Sequence, residues 1–554
     1  MTRLLPALII LFALWGVEGK SQTKYWVQFT DKNSSPYTVS NPSAFLSQRA
    51  INRRTAQNIP VSIQDIPVNP SYIQQVLGTG NVTLLNRSKW FNAITIQTTD
   101  QNALNAIQAL PFVSGLQPVN RIVRSNPFES WDPYSPLEKL QVNPPSQSFN
   151  YGSSFDQVNQ IGVVCMHNAG YTGAGLMIGV MDAGFMNVDT LTSFDSLFLQ
   201  NRILGTWDFV DNHASVYEDH WHGTMVLACM AANWPGTLIG TAPHASYWLF
   251  RTEDVGSEYI IEEDNWVSAA EFADSVGCDI LNTSLGYTTF DNPAQNHTYQ
   301  DMDGNTTRIT IATDIAVSKG IFAVCSAGNS GNSSWNFIGA PADADSVLAV
   351  GAVDNTGAYV SFSSNGPSYD GRVKPNVAAR GSQVLSQSPI GGTANANGTS
   401  FSSPLVAGGV ACLWQANPSL PVMQLFNAIQ MSASQFATPD TNLGYGIPNF
   451  CSANVIASQG NSFTFSNDEI YQVYPNPFTG SFWFQFYSAN DQEIKIRLSD
   501  ISGRILMEEN EFVFANSLSP FEVKGSENLN PGVYVLQVTG LNKRMAVRVV
   551  KTRQ

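Results

Sequence analysis

Four polar residues, far apart in the chain, each mark the end or the start of an apolar run. They are Asp182 in GVMDAGF, His222 in DHWHGTMVLACMAA, Asn329 in VCSAGNSG and Ser400 in NGTSFSSPLVAG. Singly, each has an ordinary reading: a turn aspartate, a helix-start histidine, a turn asparagine between glycines, a capping serine. Together they supply every part needed for acyl transfer. The Ser400 hydroxyl attacks a carbonyl, His222 carries its proton, Asp182 orients and supports the histidine, and the Asn329 amide holds the oxyanion. Ser400 follows Gly398 by two residues, at the first turn of a helix, where backbone N–H groups point outward and bind developing negative charge. Ser402 and Ser403 then pack or cap behind it, Thr399 supports the turn, and Pro404 suits early-helix geometry. A histidine at a helix start is expected to stay neutral, because the positive end of the dipole disfavours imidazolium. His220 and His222 do not suggest a metal pair, since no further ligand follows at zincin spacing.

Such residues need a rigid frame. Around them, continuous apolar runs (LMIGVMDAGF, SYWLFRT, DILNTSLGY, IFAVCSAGN, SVLAVGAV) alternate with helical patterns such as DNWVSAAEFADSVG and ITIATDIAVSKG. Runs without apolar–polar alternation are strands covered on both faces. The expected fold of residues 151–461 is therefore α/β, a doubly wound and mostly parallel sheet, with ligands at the carboxyl ends of its strands.

The 554 residues exceed one ordinary core. Residues 1–19 read as a signal peptide, with Arg3 before an apolar run too short to span a membrane and small residues near Gly19. No other long apolar run exists, so no transmembrane span is expected in the mature chain. Residues 20–124 mix half-buried strands (KYWVQFT, FNAITIQT) with two capped helical segments (NPSAFLSQRAINRRTA, DQNALNAIQAL), a small α/β sandwich. Residues 125–150, with five Pro and five Ser, read as a linker. Residues 462–554 alternate (SFWFQFY, EIKIRLSD, GVYVLQVTG, RMAVRVVK) and read as an all-β sandwich. Charge divides along the same lines. Residues 20–150 hold 11 basic against 6 acidic residues (+5), residues 151–461 hold 7 against 26 (−19), and the tail is near neutral. The acidic body excludes nucleic acid as a partner, while it would attract the basic segment before it. The six cysteines form no CxxC and read as buried thiols, with room for one or two disulfides in an oxidising compartment.

The blocks MDAGF, HGTMVLA, LNTSLGY, SAGNSG and NGTSFSSPLVAG, in this order, resemble the signature blocks of subtilisin-like serine peptidases. The order Asp, His, Ser agrees with that family. The resemblance implies a triad of Asp182, His222 and Ser400, with Asn329 as the oxyanion amide. It also implies that Ser284, Leu285 and Gly286 pair with substrate as an added strand, and that Gly339, in FIGAPA, lies at the base of an open P1 pocket suited to large apolar side chains. One departure is Ala183, where many members carry Ser or Thr. Sedolisins share the serine block but replace the HGT histidine, and an α/β-hydrolase would need G-x-S-x-G, which Ser402 breaks. Residues 20–124 resemble a subtilisin-type prodomain, an inhibitor of its own protease. The tail, with VYPNPF, LSDISGR and LNPGVYVLQV, resembles the sorting domains of type IX secretion cargo in Bacteroidetes, which implies passage through periplasm and outer membrane to the surface or medium. The expected protein is a secreted serine endopeptidase, made as a zymogen, that cuts itself before Tyr151 and acts on protein or peptide substrates. The competing reading is a catalytically silent surface or adhesion protein on the same scaffold. The triad requires no cofactor; the family resemblance allows structural calcium but names no ligands, and DMDGN (Asp301–Asn305) lacks the closing Glu of an EF-type loop. The acidic run Glu253, Asp254, Glu258, Glu262, Glu263 and Asp264 reads as a solvated face or helix N-terminal charge, with selection of basic substrate residues as the alternative.

Overall fold

The computed structural model describes residues 23–120, 149–458 and 468–552, apart from 475, 489, 491, 514–516 and 542. The expected signal peptide and nearly all of the expected linker lie outside these residues.

The N-terminal part is a four-stranded antiparallel sheet with helices packed on it. Its elements are β1 (Thr23–Phe29), α1 (Gln48–Ala56), α2 (Pro70–Leu77), β2 (Thr83–Ser88), β3 (Ala93–Thr98), α3 (Gln101–Gln108) and β4 (Val113–Asn120), with strand order β2-β3-β1-β4. The Asp100 carboxylate accepts from the N–H groups of Asn102 and Ala103 and so fixes the start of α3. Patterning reveals β1, β3 and α3 but not β4. That strand carries Gly115 and Pro118, which the sheet tolerates because β4 is at its edge.

The central part is built on seven parallel strands. These are β5 (Met177–Asp182), β6 (Ile203–Asp208), β7 (Ser246–Arg251), β8 (Ile280–Thr283), β9 (Phe322–Ser326), β10 (Leu348–Val353) and β11 (Val377–Arg380). Their order is β11-β10-β9-β8-β5-β7-β6, and every ladder is parallel. The expected doubly wound fold is the observed one. Helices α4 (His222–Ala231) and α7 (Thr399–Ala416) pack in the core on one face, and α5 (Ile261–Val276) and α6 (Arg308–Ser318) on the other. This two-sided cover explains the unbroken apolar runs of β5, β8, β9 and β10, all of whose residues are buried. After β5 the chain builds β6 and β7 on one side, then returns to add β8 on the other. The carboxyl ends of β5 and β8 therefore flank a switch point, where open α/β sheets place their ligands.

Residues 468–552 form two antiparallel sheets. One is ordered β12 (Glu469–Tyr474), β13 (Trp483–Ser488), β16 (Ser517–Glu522). The other is ordered β15 (Ile505–Val513), β14 (Gln492–Asp500), β17 (Gly532–Thr539), β18 (Arg544–Lys551). Phe482, Phe484, Phe486, Ile494, Ile496, Leu498, Leu536 and Val538 form the shared core.

The cysteines divide. Cys165 and Cys451 form a disulfide between two helices of the central part, 286 residues apart in sequence. Cys229, Cys278, Cys325 and Cys412 are buried free thiols, as their apolar settings imply. Among the described residues no helix is long and apolar enough to cross a membrane.

Candidate active site

Asp182 is the last residue of β5 and is fully buried. Its Oδ1 accepts from the Ala183 N–H and faces His222 Nδ1, both at 2.8 Å. Its Oδ2 has no hydrogen-bond partner in the structure.

His222 opens α4. The helix comes this close to β5 because of Gly223. A Cβ there would sit 2.4 Å from the Gly184 carbonyl oxygen and 2.9 Å from Asp182 Cβ. Thr224 then ties the turn by donating to the Met186 carbonyl. The expected depression of the imidazole at a helix start is not what the site produces. Burial pushes its pKa down, but the Asp182 carboxylate, through charge and hydrogen bond, outweighs burial and holds it above the ordinary histidine range. His220 moves the other way, lowered by burial and by His222.

Ser400 is the second residue of α7 and 7% exposed. Gly398 precedes the helix with φ 148°, a left-handed-side conformation that favours glycine. The ring of Phe401, the next residue, lies 5.8 Å from the His222 ring, so the start of α7 meets the start of α4. The Ser400 hydroxyl donates to the Ser284 carbonyl at 3.2 Å. Asn329 follows β9, and its Oδ1 accepts from both the N–H and the hydroxyl of Thr399. This leaves the Asn329 Nδ2 group as the free donor; a Cβ built on Gly398 would lie 3.5 Å from it.

Pro404 is the sixth residue of α7, deeper than the first-turn placement expected of it. It has no N–H to give to the carbonyl four residues back, which belongs to Ser400. Ser284 fills that role: its hydroxyl donates to the Ser400 carbonyl at 3.0 Å. The hydroxyl is in turn held by Asn282 Nδ2, whose Oδ1 accepts from Ser403. This network was missed in the sequence. The signal was a proline four residues after a buried serine.

Ser284, Leu285 and Gly286 continue past the end of β8 outside any ladder. Tyr287 and Ala340 exchange backbone hydrogen bonds next to them. Gly339 packs against the residues that follow this segment: a Cβ there would meet Thr288 Cγ2 at 3.0 Å and the Tyr287 carbonyl oxygen at 3.3 Å.

The acidic run is not a solvated face. Glu262, Glu263 and Asp264 lie in the first turn of α5, as a helix N-terminal charge would, but are buried. Asp264 pairs with Arg308, and Glu263 pairs with His297 and accepts from the Ile309 N–H. Glu253 accepts the Tyr287 hydroxyl. The carboxylates of Asp301 and Asp303 accept local turn hydrogen bonds. Near His222, Asp208, Asp211 and His213 are close enough to hold a metal ion. The buried Arg251 guanidinium already serves the aspartates, at 2.7 Å from Asp208 and 2.8 Å from Asp211.

Three parts of the chain match known protein families. Residues 173–446 match the Subtilase family, residues 24–130 the peptidase S8 propeptide domain of Bacteroidota, and residues 472–552 a secretion-system C-terminal sorting domain. Subtilisin DY of Bacillus licheniformis is 34% identical over 278 residues, 50% of this chain and 87% of that protein. Subtilisin E of Bacillus subtilis is 32% identical over 295 residues, 52% of this chain and 67% of that protein. The crystal structure of MycP1 from Mycobacterium smegmatis aligns at 22% identity and a TM-score of 0.42, covering 56% of this chain and 86% of that one.

Replacing Ser284 by alanine strands the buried Ser400 carbonyl. The Ser284→Ala chain is expected to lose about 1–3 kcal/mol of stability, read as a lower midpoint of chemical denaturation.

Proposed function

Because the chain belongs to the subtilase family and is a serine endopeptidase with a propeptide and a sorting domain for export, we propose that Asp182, His222 and Ser400 are its catalytic triad. The observation that carries this is the buried Asp182 carboxylate at 2.8 Å from His222 Nδ1, in a helix start that meets the start of α7. In the reaction His222 Nε2 takes the Ser400 proton as Oγ attacks the scissile carbonyl. The anion that forms on the carbonyl oxygen is held by Asn329 Nδ2 and by the Ser400 N–H in the first turn of α7. The protonated His222, stabilised by Asp182, gives the proton to the leaving amine, and water then releases the acyl group by the same route. That Oγ rests on the Ser284 carbonyl before substrate arrives suits a site whose catalytic hydrogen bonds tighten on binding.

Substrate is proposed to lie along Ser284–Gly286, a segment in no ladder of its own, as an added strand. The family resemblance places Gly339 at the base of the P1 pocket, and on that reading large apolar P1 residues are expected. A peptide-library profile checks this; a dominant preference for Asp or Glu at P1 would contradict it.

The zymogen is proposed to cut itself before Tyr151, after export through the periplasm and the outer membrane by the type IX machinery. N-terminal sequencing of the secreted protein tests cleavage and catalysis together. The wild-type chain should lose its prodomain and digest casein, whereas Ser400→Ala should remain joined and lose activity by several orders of magnitude. A Ser400→Ala protein that matures and cuts casein at the wild-type rate would sink the assignment.

The histidine must be neutral to accept a proton. Since Asp182 holds the His222 imidazole above the ordinary value of 6.5, activity should fall as pH drops through a midpoint above 6.5. The rate of labelling by a fluorophosphonate probe measures this, and a midpoint below 6 would contradict the His222–Asp182 pairing. A silent scaffold would not label at any pH.

A further inference from the structure

Where the N-terminal part meets the central part, one buried carboxylate gathers several cations. Asp274, on α5, has a side chain with no exposed surface. Three cations from two separate prodomain segments converge on it. Arg53 Nη2 lies at 2.6 Å and Arg54 Nη2 at 2.8 Å, both from the last turn of α1. Lys89 Nζ, just after β2, lies at 2.9 Å. Burial pushes the Asp274 carboxyl up, but Lys89, Arg54 and Arg53 outweigh it and hold the group well below the usual carboxylate range. The chain of charges then crosses the interface again: Arg54 reaches Asp65 of the prodomain at 3.0 Å, and Asp65 reaches Lys319 of the central part at 3.4 Å. All six side chains are at most 8% exposed. Beside them Glu271, one turn earlier on α5, accepts the Ser88 hydroxyl and the N–H groups of Lys89 and Trp90. Cations outnumber anions within this cluster, and Arg54 Nε and Nη1 have no hydrogen-bond partner.

We propose that Asp274 is the keying anion of a prodomain lock, and that its fit to Arg53, Arg54 and Lys89 sets how long this chain's own prodomain stays bound once the covalent link is cut. The proposal rests on the reading of residues 20–124 as the inhibitor of the Ser400 site. Once the parts separate, water takes over the solvation of each charge. While they are joined, removal of Asp274 leaves three buried cations without their shared anion, which is strongly unfavourable. A partner lacking the three cations leaves Asp274 buried and alone. The lock therefore selects its cognate prodomain through one point, more sharply than the diffuse attraction between a basic and an acidic segment, which salt screens.

The test avoids dependence on self-cleavage. A recognition sequence for an added site-specific protease is placed within residues 125–148 of the full Ser400→Ala chain. After cutting, retention of the prodomain is followed by size-exclusion chromatography over a dilution series. The parent should stay associated, and 0.5 M NaCl should weaken retention less than about tenfold. Asp274→Asn should weaken it by at least about a hundredfold, and Lys89→Met by at least about tenfold. The two together should weaken it by less than the product, because both break one cluster. If Asp274→Asn does not fold, Lys89→Met and Arg53→Met decide the matter from the prodomain side. Retention equal to the parent in these variants overturns the lock, and so does release of the parent by salt to the level of Asp274→Asn. Failure of the triad reading would show instead as an uncut wild-type chain, with the lock intact.

Discussion

The hydrogen bond from His222 Nδ1 to Asp182 joins two pieces of chain that the fold builds separately, a strand end and a helix start. Asp182 is fully buried, and among the described residues no Lys or Arg pairs with it. A carboxylate so placed is costly without a partner, and beside the Ala183 N–H the imidazole is the side chain that serves it. The rest of the arrangement serves this contact. The switch point places the end of β5 at the surface of the sheet, and the missing side chain of Gly223 lets α4 come close. The charge that steadies His222 is also the reason its titration departs from what a helix terminus alone would give.

The serine is held by a different logic. A helix normally satisfies its own carbonyls, but Pro404 withholds one N–H, and the carbonyl that loses it belongs to Ser400. The Ser284 hydroxyl replaces that N–H, and Asn282 and Ser403 brace the hydroxyl. The serine backbone is thereby bolted to the segment proposed to carry substrate. Ser400 and the proposed substrate strand share one set of hydrogen bonds, so they are positioned together.

Much of this was legible in the sequence, for reasons that differ by element. Strands β5, β8, β9 and β10 read clearly because both faces are covered and nearly every residue is apolar or small, Asp182 and Asn282 excepted. The four polar residues stood out because they interrupt those runs. β6 was not legible: ILGTWD is half exposed at the sheet edge and carries a glycine against Trp248. β4 was hidden by Gly115 and Pro118. Of the two readings of the acidic run, helix N-terminal charge holds for Glu262, Glu263 and Asp264, while the solvated face fails for them because His297 and Arg308, distant in sequence, are brought to bury Glu263 and Asp264. The disulfide was equally invisible, since 286 residues separate its cysteines and only the fold makes Cys165 and Cys451 neighbours. Local patterning reports what a residue's own element needs, and it is silent about partners supplied from elsewhere.

Arg251 illustrates the same point at the edge of the site. It occupies the last position of β7, level with Asp182 in the neighbouring strand, and its guanidinium gathers Asp208 at the end of β6 with Asp211 and Asp219 from the loop that leads to His222. The positive charge that ties this loop together is covalently part of the chain. A protein exported from the cell keeps that charge through any dilution and against any chelator, so the approach to His222 is held by something that cannot diffuse away.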